Sequence, residues 1–153
     1  MQIRSAFFWP VSNQLRYINH GEWVMTDETI LLAVNGTLMR GLVLNKNLTD
    51  VGATFVREDA TSGEYRLYTI GDIHPAMQRV ADDGRSIELE LWAVPMPGLI
   101  SVLLGEPAGL CIGKIELANG TMVLGVLGEG LLCAEGKDIT DYGGWRAYIR
   151  SGL

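Results

Sequence analysis

Two apolar runs, residues 112–117 and 122–127, are separated by Ala118-Asn119-Gly120-Thr121. Asn-Gly between alternating hydrophobic residues is the strongest short-range hairpin signal a sequence can carry. It commits this part of the chain to antiparallel sheet, and most of the remaining sequence agrees with it. Residues 30–34 form a continuous apolar run, which suits a strand covered on both faces. Residues 53–57 and 64–70 alternate in polarity. Residues 86–94 do so more clearly, with Ile87, Leu89, Leu91 and Ala93 set against Glu88, Glu90 and Trp92.

Helical signals are shorter. Residues 42–48 suit about two turns, and residues 97–104 open on Pro97, a residue favoured at the first helical position. Asp138-Ile139-Thr140-Asp141 offers capping groups, but Gly143-Gly144 interrupts propagation before a last short helix over 145–150. Residues 1–28 lack clean periodicity and read as an N-terminal arm, with a strand expected at 6–9. Residues 29–153 then form one domain, α+β and mainly antiparallel, with short helices at its edges.

The charge balance narrows the partners. Twelve Lys and Arg against eighteen Asp and Glu give a net charge of −6, which excludes a general phosphate-backbone binder and hence a nucleic-acid partner. No run approaches the roughly 20 apolar residues of a membrane helix, and the apolar part of the N-terminus is too short for a signal peptide. A cytoplasmic, membrane-free protein is expected. Cys111 and Cys133 lie among apolar neighbours and read as buried reduced thiols. With His20 and His74 they show no metal-ligand spacing, so neither a metal nor another cofactor is expected.

One segment carries more information than its neighbours. Val34-Asn35-Gly36-Thr37-Leu38-Met39-Arg40-Gly41 takes a buried strand into a polar, glycine-bearing turn. Consecutive backbone N–H groups in such a turn can form a nest for a carboxylate, with Thr37 adding a hydroxyl and Arg40 a charge. The alternative is an ordinary strand-to-helix turn. Glu106, in Leu104-Gly105-Glu106-Pro107-Ala108, sits where apolar surroundings would raise a carboxyl pKa, or else it is an exposed turn glutamate. Glu90 is either one of the solvated residues of its strand or a carboxylate covered by Trp92, with its pKa raised by desolvation. His74, before Pro75, is a solvent-exposed turn residue or a proton shuttle. Tyr142 and Arg146, around Gly143-Gly144, either pack or line a pocket.

The order of these segments resembles a known family. Val34 to Gly41, Leu44-Asn45, Tyr65-Arg66-Leu67-Tyr68, Ile87 to Trp92, Ile112-Gly113-Lys114-Ile115 and Asn119-Gly120 follow in sequence. Above all, Asp138-Ile139-Thr140-Asp141-Tyr142-Gly143-Gly144-Trp145-Arg146-Ala147-Tyr148 resembles the C-terminal domain of allophanate hydrolase, within the gamma-glutamylcyclotransferase-like superfamily. The resemblance implies a small barrel-like domain around a central cavity. It also implies that Asn35-Gly36-Thr37-Leu38 corresponds to the cyclotransferase loop that binds a substrate carboxylate through its amides, with Asn35 in place of a tyrosine. Glu106 then corresponds to the glutamate base, although Leu103-Leu104-Gly105 replaces the acidic spacing usual before it. Allophanate hydrolase domains usually carry an apolar residue at that position. The amidase domain that normally precedes this region, with its Ser-Ser-Lys chemistry, is expected to be missing.

Three functions follow as expectations. The first is a cyclotransferase-like enzyme for a small carboxylate- or amide-bearing metabolite. The second, from the allophanate branch, is decarboxylation or related processing of a small carboxylated nitrogen compound. The third is a non-catalytic module that binds a metabolite or assembles with a separately encoded amidase. A homodimer is also left open.

Overall fold

The computed structural model describes residues 16–18, 22–24 and 29–152. The strand expected at residues 6–9 lies outside the described residues. Within the segment read as an arm, β1 (Arg16–Ile18) and β2 (Glu22–Val24) pair antiparallel.

β3 (Thr29–Val34) is the centre of a five-stranded sheet ordered β4-β7-β3-β9-β8. Its second half, Leu32, Ala33 and Val34, is fully buried, as its unbroken apolar run requires. It pairs antiparallel with β7 (Glu88–Pro95) along its whole length, and parallel with β9 (Met122–Gly128) at Leu32↔Leu124 and Ala33↔Gly125. The sheet is therefore mixed. Gly125 permits this close pairing, since a Cβ there would lie 2.2 Å from Ile115 Cδ1 and 3.0 Å from Ala33 Cβ. β8 (Leu110–Glu116) and β9 form the hairpin around Asn119-Gly120. Its turn takes a positive φ only at Gly120, with the Gly120 N–H donating to Leu117 O, so it is a three-residue loop.

β4 (Thr54–Ala60) lies on the other flank of β7 and carries a bulge between Phe55 and Arg57. Side chains alternate along a strand, so Phe55 and Glu58 would otherwise face opposite ways. The extra residue puts both on the β7 face that bears Trp92 and Glu90, with Phe55 opposite Trp92 and Glu58 opposite Glu90.

A second sheet, ordered β10-β5-β6, contains β5 (Tyr65–Ile70), β6 (His74–Arg79) and the two-residue β10 (Lys137–Asp138). The β5–β6 turn has positive φ at both Gly71 and Asp72, and Ile73 N–H donates to Ile70 O. The helices are short: α1 (Asn45–Thr49), α2 (Met96–Gly105), α3 (Gly130–Glu135) and α4 (Trp145–Arg150), with a 3-10 turn at Thr140–Tyr142.

The expected small barrel is corrected to open sheets. The edge strands β4 and β8 form no ladder with each other among the described residues. They touch only just beyond their ends, through a bridge between Thr61 and Leu117 with Ser62 N–H on Glu116 O and Ala118 N–H on Ala60 O. Twist brings the edges together at one end and leaves them apart at the other.

Candidate functional site

The loop after β3 is held by its carbonyls. Gly36 O accepts from Met39 N–H at 3.0 Å, Thr37 O from Leu44 N–H at 3.0 Å, and Leu38 O from Asn45 Nδ2 at 2.8 Å. The N–H groups of Gly36, Thr37 and Leu38 donate to no acceptor among the described residues. Fixing three carbonyls in a row leaves three neighbouring amides uncommitted, which is the composition of an anion-binding nest. The Asn35 side chain does not join them. Its Nδ2 donates to Val126 O at 2.9 Å, tying the loop entrance to β9.

These residues border a cavity together with Val34, His74, Pro75, Glu106, Leu110 and Val126. About 20 Å³ is open to the centre of a water-sized sphere, room for one small polar group. Pro75 forms a wall: a Cβ on Gly36 would lie 2.6 Å from its Cγ and 2.7 Å from its Cδ. Sequence reasoning did not mark Pro75 as a wall residue. A proline next to the first residue of β6 was the available signal, because its missing N–H confines it to a strand start or edge.

Glu106 ends α2 in extended conformation, φ −77° and ψ 149°, as the residue before a proline must. Its Oε1 is sealed from solvent and has no hydrogen-bond partner. Burial pushes its pKa up, since no donor or cation offsets the lost hydration. No Lys or Arg lines the cavity. His74, half-buried as the first residue of β6, lines it too, with Nδ1 3.1 Å from Pro75 O.

The other expected site residues lie elsewhere. Arg40, expected to charge the loop, turns away from the cavity to lie over the Phe55 ring at 3.5 Å, with Nη2 on Glu58 at 2.7 Å and Nε on Glu90 at 3.1 Å. Glu90 is 1% exposed, so the solvated-face alternative is set aside. Its pKa is lowered, not raised. Desolvation alone would push it up, but donors from Arg40 N–H, Trp92 Nε1, the Arg40 guanidinium and Arg146 outweigh that effect together. Arg146 Nη2 reaches both Glu90 Oε1 (2.8 Å) and Arg40 O (2.7 Å). It also borders a separate polar groove of about 600 Å³ with Glu58, Asp59, Glu88 and Arg150. Tyr142 is exposed, edge-on to Tyr148 at 5.1 Å, and borders neither.

Among the described residues no cluster of His, Cys, Asp or Glu is arranged to hold a metal, and no helix is long and apolar enough to cross a membrane. Cys133 is buried and its thiol is pushed up to about 11, chiefly by desolvation.

Fold and cavity together define a small α+β domain with a small, partly open pocket at the end of its central strand. The protein family described as allophanate hydrolase C-terminal domain matches residues 30–150. Urea amidolyase of Saccharomyces cerevisiae is 36% identical over 130 residues, covering 79% of this chain and 7% of that protein. The chain spans about 7% of the length of the curated relatives it matches. The crystal structure of c4763, described as a uropathogenic E. coli-specific protein, has a TM-score of 0.78 at 50% identity, covering 82% of this chain and 98% of that one. An aig2-like protein from Mus musculus has a TM-score of 0.52 at 18% identity, covering 67% of this chain and 77% of that one, a likeness of fold alone. This chain belongs to the allophanate hydrolase C-terminal domain family and has a gamma-glutamylcyclotransferase-like fold.

Proposed function

We propose that this protein is a small-molecule enzyme of the cyclotransferase kind. In this reading the Gly36, Thr37 and Leu38 amides hold a substrate carboxylate, and Glu106 is the general base. One observation carries the reading: Glu106, whose Oε1 is desolvated and unpartnered, lines the same cavity as Gly36, Thr37 and Leu38, whose amides donate to no acceptor among the described residues. The Glu106 carboxylate takes a proton from the substrate α-amine. The freed nitrogen attacks the γ-amide carbonyl carbon, the amide C–N bond breaks, and the proton passes to the departing amine. Intramolecular attack brings an effective molarity of roughly 10⁵ M or more, and a positioned base adds about 10²–10⁴-fold.

A second reading draws on family membership. His74, at the same cavity, would serve as proton donor in decarboxylation of a small carboxylated nitrogen compound. The absence of any Lys or Arg from the lining favours a singly charged ligand group over a dicarboxylate, and so favours the first reading.

Incubation with a γ-glutamyl amine tests the proposal, with 5-oxoproline and carbon dioxide both measured. A carbamate-like dicarboxylate is supplied in parallel. The expected result is 5-oxoproline from the wild type and loss of turnover in a folded Glu106→Gln variant. Full activity of that variant would remove Glu106 as the base. Carbon dioxide from the dicarboxylate alone would favour the second reading, and no turnover together with co-purification of an amidase would favour a non-catalytic module.

A further inference from the structure

We infer that Glu90 and Arg146 are positioning residues for the amide loop, acting through Arg40; this rests on the anion-binding reading of that loop. The two oxygens of Glu90 take four donors. Oε1 accepts from Arg40 Nε (3.1 Å) and Arg146 Nη2 (2.8 Å), and Oε2 from Arg40 N–H (2.9 Å) and Trp92 Nε1 (3.1 Å).

Two of the bonds that fix Arg40 are made to its backbone. Its N–H is held by Glu90 and its carbonyl by Arg146. The peptide groups that flank Arg40, directly after the nest, are thus pinned by residues 50 and 106 positions away in sequence. The β4 bulge completes the arrangement by presenting Phe55 and Glu58 to the same guanidinium. Arg40 also bridges Glu58 and Glu90, like charges that would otherwise oppose each other across the ladder.

Ion pairs made by a buried carboxylate such as Glu90 contribute little net stability compared with apolar residues of similar volume, because its desolvation cancels most of the attraction. What these directed bonds supply is a fixed backbone at the far end of a loop whose near end is fixed by Asn35. Sequence reading placed Arg40 and Arg146 as ligand-facing candidates. The geometry gives both a different task.

The test uses Arg146→Lys, which keeps the charge but shortens the side chain and loses the planar guanidinium that sets Nη2 between its two acceptors, and Arg146→Ala, with two readouts. The first needs no ligand: amide hydrogen exchange at Met39 and Leu44, whose N–H groups close the loop, against Leu124 in β9 as a core control. Loss of the charge-assisted bond to Arg40 O is expected to speed exchange at Met39 and Leu44 about tenfold, with the control unchanged. The second is acetate titration followed at the Gly36, Thr37 and Leu38 amides. Affinity should fall about tenfold in both variants, and millimolar guanidinium, but not sodium chloride, should restore it in Arg146→Ala. Unchanged exchange, or unchanged acetate affinity, would overturn the positioning role. If acetate leaves the wild-type amides unmoved, the anion-binding reading fails, and this inference with it, whatever the exchange result.

Discussion

At Glu106 two demands conflict: a general base must be ionised to accept a proton, yet this carboxylate has lost its hydration and gained no donor in exchange. Burial raises its folded-state pKa above the unfolded value, so the folded state binds the proton more tightly. The group therefore favours folding below its unfolded pKa, and that contribution is lost as pH rises through the raised folded pKa. Glu106→Gln, which resembles the protonated form, is expected to be more stable than the wild type at neutral pH. The difference should vanish below about pH 4, as denaturant titrations at several pH values would record. Gly36 is as tightly constrained. An added methyl would press into the Pro75 ring, so Gly36→Ala should cost about 1–3 kcal/mol in chemical denaturation. It should also abolish any acetate-induced shift at Thr37 and Leu38.

Among the elements, the junction of β3 with its loop depends on a parallel neighbour with only two register pairs. Asn35 extends that contact past the end of the strand by donating to Val126 O. Asn35→Ala removes the bond inside a closed environment and should cost about 1–2 kcal/mol in urea unfolding. Had the residue been chosen for contact with the ligand, it would lower affinity without this loss. The same junction shows what a one-dimensional reading can reach. The strand, the turn and the glycine were legible from an apolar run meeting Asn-Gly-Thr. The direction of the Asn35 side chain was not, because its acceptor lies 91 residues away. Likewise, β7 alternates as expected, yet on its charged side only Glu88 is exposed, while Glu90 is buried with Trp92. A sequence of alternating Glu and Trp cannot show that two guanidiniums from distant elements arrive to neutralise it. β6 was missed altogether, since His74-Pro75 reads as a turn even beside the alternating residues of its partner β5.

For the molecule as a whole, composition and hairpin signals established an α+β domain of short elements, and the resemblance in the Asp138 to Tyr148 segment identified the family. Neither revealed that the principal sheet stays open. Its edges meet at Thr61, whose fully buried hydroxyl accepts from Ile87 N–H at 2.9 Å and donates to Ser62 O at 2.7 Å. Thr61→Val keeps the shape but strands both partners, and should cost about 1–3 kcal/mol in thermal or chemical unfolding. A small loss there would mean that the edge contact is incidental to the fold.

The most direct measurement is a pH titration of the Glu106 side-chain carboxyl by carbon-13 NMR, with and without acetate. The expected midpoint lies above the ordinary carboxyl range and moves higher still with acetate while the Gly36, Thr37 and Leu38 amide resonances shift, since a second negative charge in one small cavity disfavours ionisation. A midpoint in the ordinary range, indifferent to acetate, would contradict it.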